Sequence, residues 1–266
     1  MLTSATNIYG LTVRAVDGEL GIVKDLYFDD ETWVIRYLTV ETGGWLDDKQ
    51  VLISPISIVY ADWNEKRLDV SLTKKQVQNS PNIDTHKPVS RQHEAEYISY
   101  YGYPDYWSGP NLWGSALYPT GLAAFPTPSQ QAATARVKGW TTDTHLRSTD
   151  AVKGYDIEAV DGEIGHLNGF MVDDRAWAIR YLEVATRNWW PGKKVLISPA
   201  WVENVSWDGS RLACAVTREI IQTAPEYFDG MPITREYENR LYFHYGMPPY
   251  WLPESEDTVA LSLISS

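Results

Sequence analysis

Apolar residues come in short runs broken by turn residues, the pattern of a mainly β chain rather than a helical one. Trp33-Val34-Ile35-Arg36-Tyr37-Leu38-Thr39-Val40 is rich in β-branched and aromatic residues and reads as a strand. Val51-Leu52-Ile53-Ser54 is a shorter strand, stopped by Pro55. Leu68, Val70 and Leu72 alternate in another. Asp17-Gly18 lies between apolar runs, which predicts a type I′ hairpin. The period then changes. Thr73-Lys74-Lys75-Gln76 is a capping box that opens a short helix ending before Pro81. A second helix over Arg91 to Tyr101 places Glu94, Tyr97, Ile98 and Tyr101 on one stripe.

The whole pattern recurs 144 residues later. Ala15-Val16-Asp17-Gly18-Glu19 returns as Ala159-Val160-Asp161-Gly162-Glu163, and Ile35-Arg36-Tyr37-Leu38 as Ile179-Arg180-Tyr181-Leu182. Val51-Leu52-Ile53-Ser54-Pro55 returns as Val195-Leu196-Ile197-Ser198-Pro199. Gly10–Trp107 aligns with Gly154–Trp251 without a gap, with 37 identities in 98 positions. The expected organisation is a first repeat at 1–107, a linker at 108–153, a second repeat at 154–251 and an acidic tail at 252–266. Each repeat has room for several short strands followed by one or two helices. That predicts two tandem small barrels related by internal duplication, with interiors filled by side chains. Thr217 keeps the cap in the second copy, but Ile220 replaces Gln76 and the reciprocal bond is lost. Cys214 stands at the position of Val70 and reads as a small buried hydrophobe.

These residues resemble the PRC-barrel family. The resemblance rests on Val-Asp-Gly-Glu-x-Gly at 16–21 and 160–165, the pairs Asp29-Asp30 and Asp173-Asp174, and the Arg-Tyr-Leu strand. It rests also on the Val-Leu-Ile-Ser-Pro strand and the short helix before Pro81 or Pro225. It covers about residues 10–84 and 154–228. That family includes the cytoplasmic domain of the photosynthetic reaction-centre H subunit and the ribosome-maturation factor RimM. In both, the resemblance implies, the barrel binds and regulates other proteins and is not an enzyme. The chain departs from both: the H subunit has a membrane anchor, and RimM has an unrelated N-terminal barrel. Fold likeness alone does not carry a photosynthetic or ribosomal role.

Composition narrows the function classes. The 23 basic and 35 acidic residues give a net charge of −12, and no segment is strongly basic, which argues against nucleic-acid or anionic-lipid binding. Met1 to Asn7 lacks the basic and apolar regions of a signal peptide, and no apolar run is long enough to span a membrane. A cytoplasmic location without membrane insertion is expected. One cysteine excludes an internal disulfide, and the histidines His86, His93, His145, His166 and His244 have no metal-ligand spacing, so no metal or cofactor is expected. No nucleophile elbow, catalytic triad order or phosphate loop is present, and no enzyme activity is expected. Asp29-Asp30 and its copy read as turns between strands.

Two candidate features remain. Arg36 and Arg180 sit mid-strand among apolar residues and call for partners; the shared acids Glu19 and Glu163 are the expected structural ion pairs. The chain has 12 Trp and 17 Tyr against 5 Phe, and eight of the Trp residues pair at the 144 spacing as part of the repeated fold. The rest of the aromatic excess concentrates at the helix ends and the linker. Tyr100, Tyr101, Tyr103, Tyr106, Trp107 and Trp113, with Tyr245, Tyr250 and Trp251, form the candidate interaction surface. The stretch from Tyr106 to Ala135 carries no charge and is expected to lie across apolar surface.

Two readings follow. The first is a non-catalytic scaffold or regulatory module with protein partners, its two barrels related by a pseudo-twofold axis. The alternative is a regulator binding a small molecule or an electron-transfer cofactor, by likeness to the H subunit, with the aromatic segments and Arg36 or Arg180 lining an inter-barrel cleft. Doubling within one chain replaces a homodimer, so light scattering should return the mass of a monomer. A clean dimer peak would overturn this.

Overall fold

The computed structural model describes residues 1–81, 89–123, 144–186 and 194–252, with backbone only at 89–92 and 144. His86, Trp140, Trp189, Trp190, residues 124–135 of the uncharged stretch and the tail after 252 lie outside them. The strands of the first half are β1 (Leu2–Ser4), β2 (Thr12–Ala15), β3 (Gly18–Asp29), β4 (Ile35–Glu41), β5 (Gln50–Ile53), β6 (Ile58–Asp62), β7 (Arg67–Val70) and β8 (Val89–Ser90). Those of the second are β9 (Thr144–Ser148), β10 (Asp156–Ala159), β11 (Gly162–Asp173), β12 (Ala178–Thr186), β13 (Lys194–Ile197), β14 (Val202–Ser206), β15 (Arg211–Cys214) and β16 (Glu226–Tyr227). Six short α-helices accompany them among the described residues: α1 (Lys74–Gln78), α2 (Arg91–Tyr101), α3 (Pro119–Leu122), α4 (Thr149–Val152), α5 (Arg218–Gln222) and α6 (Arg235–Tyr245). The chain is mainly β, as the hydrophobic pattern predicts, and no helix among the described residues is long and apolar enough to cross a membrane.

The strands form two sheets, ordered β5-β4-β3-β2-β7-β6 and β14-β15-β10-β11-β12-β13-β16. Their ladders correspond at a spacing of 144. Thr12 pairs with Arg67 as Asp156 pairs with Arg211, and Leu38 pairs with Ile53 as Leu182 pairs with Ile197. The end strands β5 and β6 are joined by a one-turn 3-10 helix at Pro55–Ser57, capped by Ser54, which curls the sheet on itself. The long strands β3 and β11 bend at bulges, as strongly curved sheets require.

The hairpin at the start of each sheet differs from the expected one. Ala15 pairs with Gly18, so Val16-Asp17 are the central residues, and of the four only Gly18 has positive φ. Type I′ would need positive φ at both central positions. The shift gives Asp17 a different task. Its carboxylate accepts the Lys74 N–H at 2.8 Å, and Asp161 does the same for Arg218, so each turn aspartate holds the start of the helix that follows its sheet. The Thr73–Gln76 capping box forms as predicted, and in the second copy only the Thr217 half survives.

The halves share one core. The β3–β4 and β11–β12 hairpins meet tip to tip in an antiparallel bridge between Val34 and Ala178, positions 144 apart. Ile35 N–H donates to the Trp177 carbonyl at 2.7 Å, and Ile179 N–H to the Trp33 carbonyl at 2.8 Å. Trp33 and Trp177 are left-handed, with φ of 57° and 53°, which turns their carbonyls toward the other hairpin. Such a residue costs about 1–2 kcal/mol. Burying an aromatic of this size contributes about 3–5 kcal/mol, so the seam outweighs its strain.

A second exchange reinforces the first. β1 pairs with β11 of the second half, and β9, just before the second half, pairs with β3 of the first. Residues 144–152, within the segment 108–153 that the sequence reads as linker, form β9 and α4, about 144 positions on from β1 and the 3-10 helix at Ala5–Asn7. The Asp25 carboxylate accepts from the hydroxyls of Ser148 and Thr149 and from the Asp150 N–H, which locks this segment onto β3. Burial still outweighs these donors and raises the Asp25 pKa. Cys214 is buried, with its thiol pushed up to about 12 by desolvation, consistent with a core role.

Gly21 and Gly165 lie where β4 and β12 cross over them. A Cβ on Gly21 would sit 1.9 Å from the Glu41 carbonyl oxygen, and one on Gly165 would sit 2.1 Å from that of Ala185. Gly21→Ala should therefore lower stability by roughly 3 kcal/mol or more in chemical denaturation. Gly10→Ala, with φ of +78° but open space around it, should cost only about 1 kcal/mol. Equal losses would sink this account of the crossing.

Candidate functional site

Four residues recur at the 144 spacing and meet in space in each half: Asp29, Arg36, Glu94 and Tyr106 in the first, and Asp173, Arg180, Glu238 and Tyr250 in the second. The fold brings them together from far apart. The aspartate ends the long strand, the arginine lies near the start of the next strand, the glutamate is on the helix stripe, and the tyrosine follows that helix. Asp29 also shapes the hairpin tip, because its Oδ1 accepts the Glu31 and Thr32 N–H groups at 3.1 Å.

In the first half the cluster is sealed. Arg36 is 2% exposed and lies 3.7 Å from Asp29. It donates to the Thr32 hydroxyl at 3.2 Å and to the Leu112 carbonyl at 2.7 Å. Its guanidinium sits 3.8 Å from the Tyr106 ring centre and 4.8 Å from that of Trp113. The Tyr106 hydroxyl donates to Glu94. The other Glu94 oxygen is 2.7 Å from Nε2 of buried His145, an ion-pair distance off the hydrogen-bond angle. These partners offset part of the large cost of a buried charge.

In the second half the same frame is open. Arg180 donates to Asp173 at 3.4 Å and lies 4.2 Å from the Tyr250 ring centre. Tyr250 and Tyr181 both donate to Glu238, at 3.0 and 2.7 Å, and Arg235 pairs with its second oxygen at 3.0 Å. Arg235 also lies 3.9 Å from the Trp251 ring centre. Burial, then the negative charge of Glu238 and neighbouring phenols, pushes Tyr181 and Tyr250 well above the ordinary phenol range. Both stay protonated and serve as donors. This is the reverse of the lowered pKa that would activate a phenol as nucleophile. Arg180 and Tyr250 line two adjacent cavities of about 620 and 590 Å³.

The structure corrects the expected ion pairs. Glu19 and Glu163 are exposed at the hairpin turns, at the far end of the long strands from Arg36 and Arg180. The pairing carboxylates are Asp29 and Asp173, because the β3–β4 register sets the end of one strand beside the start of the next. It also corrects part of the candidate interaction surface. Tyr106, Trp113 and Tyr245 are buried, and Trp113 donates across the seam to the Ala176 carbonyl at 2.7 Å. Tyr101, Tyr103, Trp107 and Trp251 are half-buried; Tyr101 and Tyr103 stack 5.6 Å apart against the first sheet. Tyr100 and Tyr250 keep the most exposure of the nine, at 39% and 37%. The sequence reading missed Glu94, Glu238 and His145 as partners. The acids were visible as identities within a helix stripe, but which phenol they met was not.

The two halves predict unequal costs. Arg36→Met strands buried Asp29 and the Leu112 carbonyl and should destabilise by about 3–5 kcal/mol in chemical denaturation. Arg180→Met, beside water, should cost about 1 kcal/mol. Equal effects would contradict the contrast between sealed and open sites.

Comparison with known proteins fits this architecture. Residues 3–77 match the PRC-barrel domain family. An uncharacterized protein of Deinococcus radiodurans is 38% identical over 78 residues, covering 29% of this chain and 28% of that protein. The match thus spans little more than a quarter of either chain. The segment Thr3–Val77 holds β2 to β7, which form the β5-β4-β3-β2-β7-β6 path of the first sheet, and most of α1, and it is a PRC-barrel domain.

Proposed function

We propose that the chain is a tandem PRC-barrel protein of the cytoplasm, with the second half a further copy of the domain, and that it acts as a non-catalytic interaction or scaffold module. The observation that carries this reading is the unequal treatment of one repeated cluster. The first copy is covered by the chain's own linker, whereas the second presents arginine and aromatic rings to the surface. Arginine, tyrosine and tryptophan are the residues that dominate protein-binding hot spots. The 37 identities at a fixed spacing support the second domain.

Affinity capture with the tagged full chain, followed by cross-linking, tests this. A partner in fixed stoichiometry, cross-linked near Arg180, is expected. An eluate with no enriched partner would overturn it.

One observation favours a second reading, a small-molecule regulator: the cavities beside Arg180 fall in the ~300–1,000 Å³ range of ligand sites. A thermal shift with one metabolite of a panel, lost in Arg180→Met, would favour it. No shift across the panel would remove it.

A further inference from the structure

In the first half the chain shows what fills this place. The uncharged segment 111–122 runs over the Arg36 cluster and on to the 3-10 helix. Leu112 gives its carbonyl to Arg36 at 2.7 Å. Trp113, fully buried, sets its ring against Tyr106 at 6.1 Å, edge to face, and its indole N–H donates to the Ala176 carbonyl. Backbone bonds between Asn111 and Gly114, and between Trp113 and Ala116, tighten the segment into two turns. Then α3 packs on the Pro55–Ser57 3-10 helix, with Leu122 1% exposed. A cavity of about 250 Å³ lies beside Tyr118 and Pro119.

Each surface that holds this segment has a counterpart 144 positions away. Arg36 corresponds to Arg180, Tyr106 to Tyr250, Ala176 to Thr32, and the 3-10 helix at Pro55 to that at Pro199. Thr32, Arg180, Pro199 and Tyr250 all line the single cavity of about 620 Å³. The open groove is therefore the mate of the Trp113 seat.

We propose that this groove binds an extended, uncharged peptide segment of a partner protein. A tryptophan anchors it on Tyr250 and Arg180, with the indole N–H directed to the Thr32 carbonyl. The residue before the tryptophan offers its carbonyl to Arg180, a charge-assisted bond. The proposal rests on the interaction reading above and names its site and partner chemistry. The uncharged segment 111–122 at the equivalent seat is the model for the occupant, and the rim acids Asp30, Glu31 and Glu203 argue against an acidic one. The same acids disfavour this chain's residues 252–266, whose net charge is −3. A second copy is disfavoured too, because its own Trp113 is already buried within its first half.

The probe is a fluorescein-labelled peptide with the sequence of residues 109–123, titrated into the full chain and read by fluorescence anisotropy. Saturable binding is expected, at least ~10-fold weaker when alanine replaces the tryptophan of the probe. Asn204→Trp, at an exposed rim position that leaves the core untouched, should weaken it by at least ~10-fold as well. Arg180→Met should act in the same direction. Absence of saturable binding overturns the proposal, and is the outcome if residues 253–266 already hold the groove. Binding indifferent to the probe's tryptophan or to Asn204→Trp overturns it. So does a concentration-dependent dimer that the peptide dissociates, which would assign the groove to a second copy. A captured partner retained by Asn204→Trp would leave the interaction reading standing while this site falls.

Discussion

The tips of two β-hairpins meet at Val34 and Ala178, and much of the molecule follows from that bridge. The two residues occupy the same position in the two halves, so the contact is self-complementary, as at a twofold interface between identical subunits. Its reciprocal hydrogen bonds need carbonyls turned outward at the hairpin tips, and the left-handed Trp33 and Trp177 supply them. Phe28 stacks on Trp33 from one half and lies near Phe170 and Trp207 of the other, so aromatic rings of both halves pack beside the paired backbones. The exchanged strands β1 and β9 then bind each half to the long strand of its neighbour.

The same geometry explains the asymmetry. The two halves share nearly the same polar cluster, but among the described residues only the first is covered by a further segment of the chain. The segment after α2 continues across the seam and over Arg36, where Trp113 replaces water at the guanidinium. A covered arginine must find its partners within the fold, and Arg36 has Asp29, Thr32, Leu112 and two rings around its guanidinium. Arg180 keeps the aspartate and one ring and faces a groove. The two frames thus differ, among the described residues, in what is laid over them.

The strands, the capping box at Thr73, both long helices and the core position of Cys214 were legible because each depends on residues near in sequence. The turn at Val16-Asp17 was misread by one position. A dipeptide preference cannot sense that a bulge in β3 shifts the register, or that Asp17 is needed by a helix 57 residues away. The buried partners of Arg36 were misassigned for a related reason. An acid at a hairpin turn and an acid at a strand end look alike in one dimension, and only the register separates them by the length of β3.

What the sequence alone determined is the repeat, the mainly β class and the family resemblance, since these rest on periodicity and on identities at a fixed spacing. It also located the aromatic excess at the helix ends and linker. It could not decide which of those rings face inward, because burial depends on what the chain lays over them. Tertiary structure made Tyr106 and Trp113 part of the core and left Tyr250 at the rim of a groove. The physical reason is that one uncharged segment must choose between two nearly equivalent seats, and the chain's connectivity places it on the first.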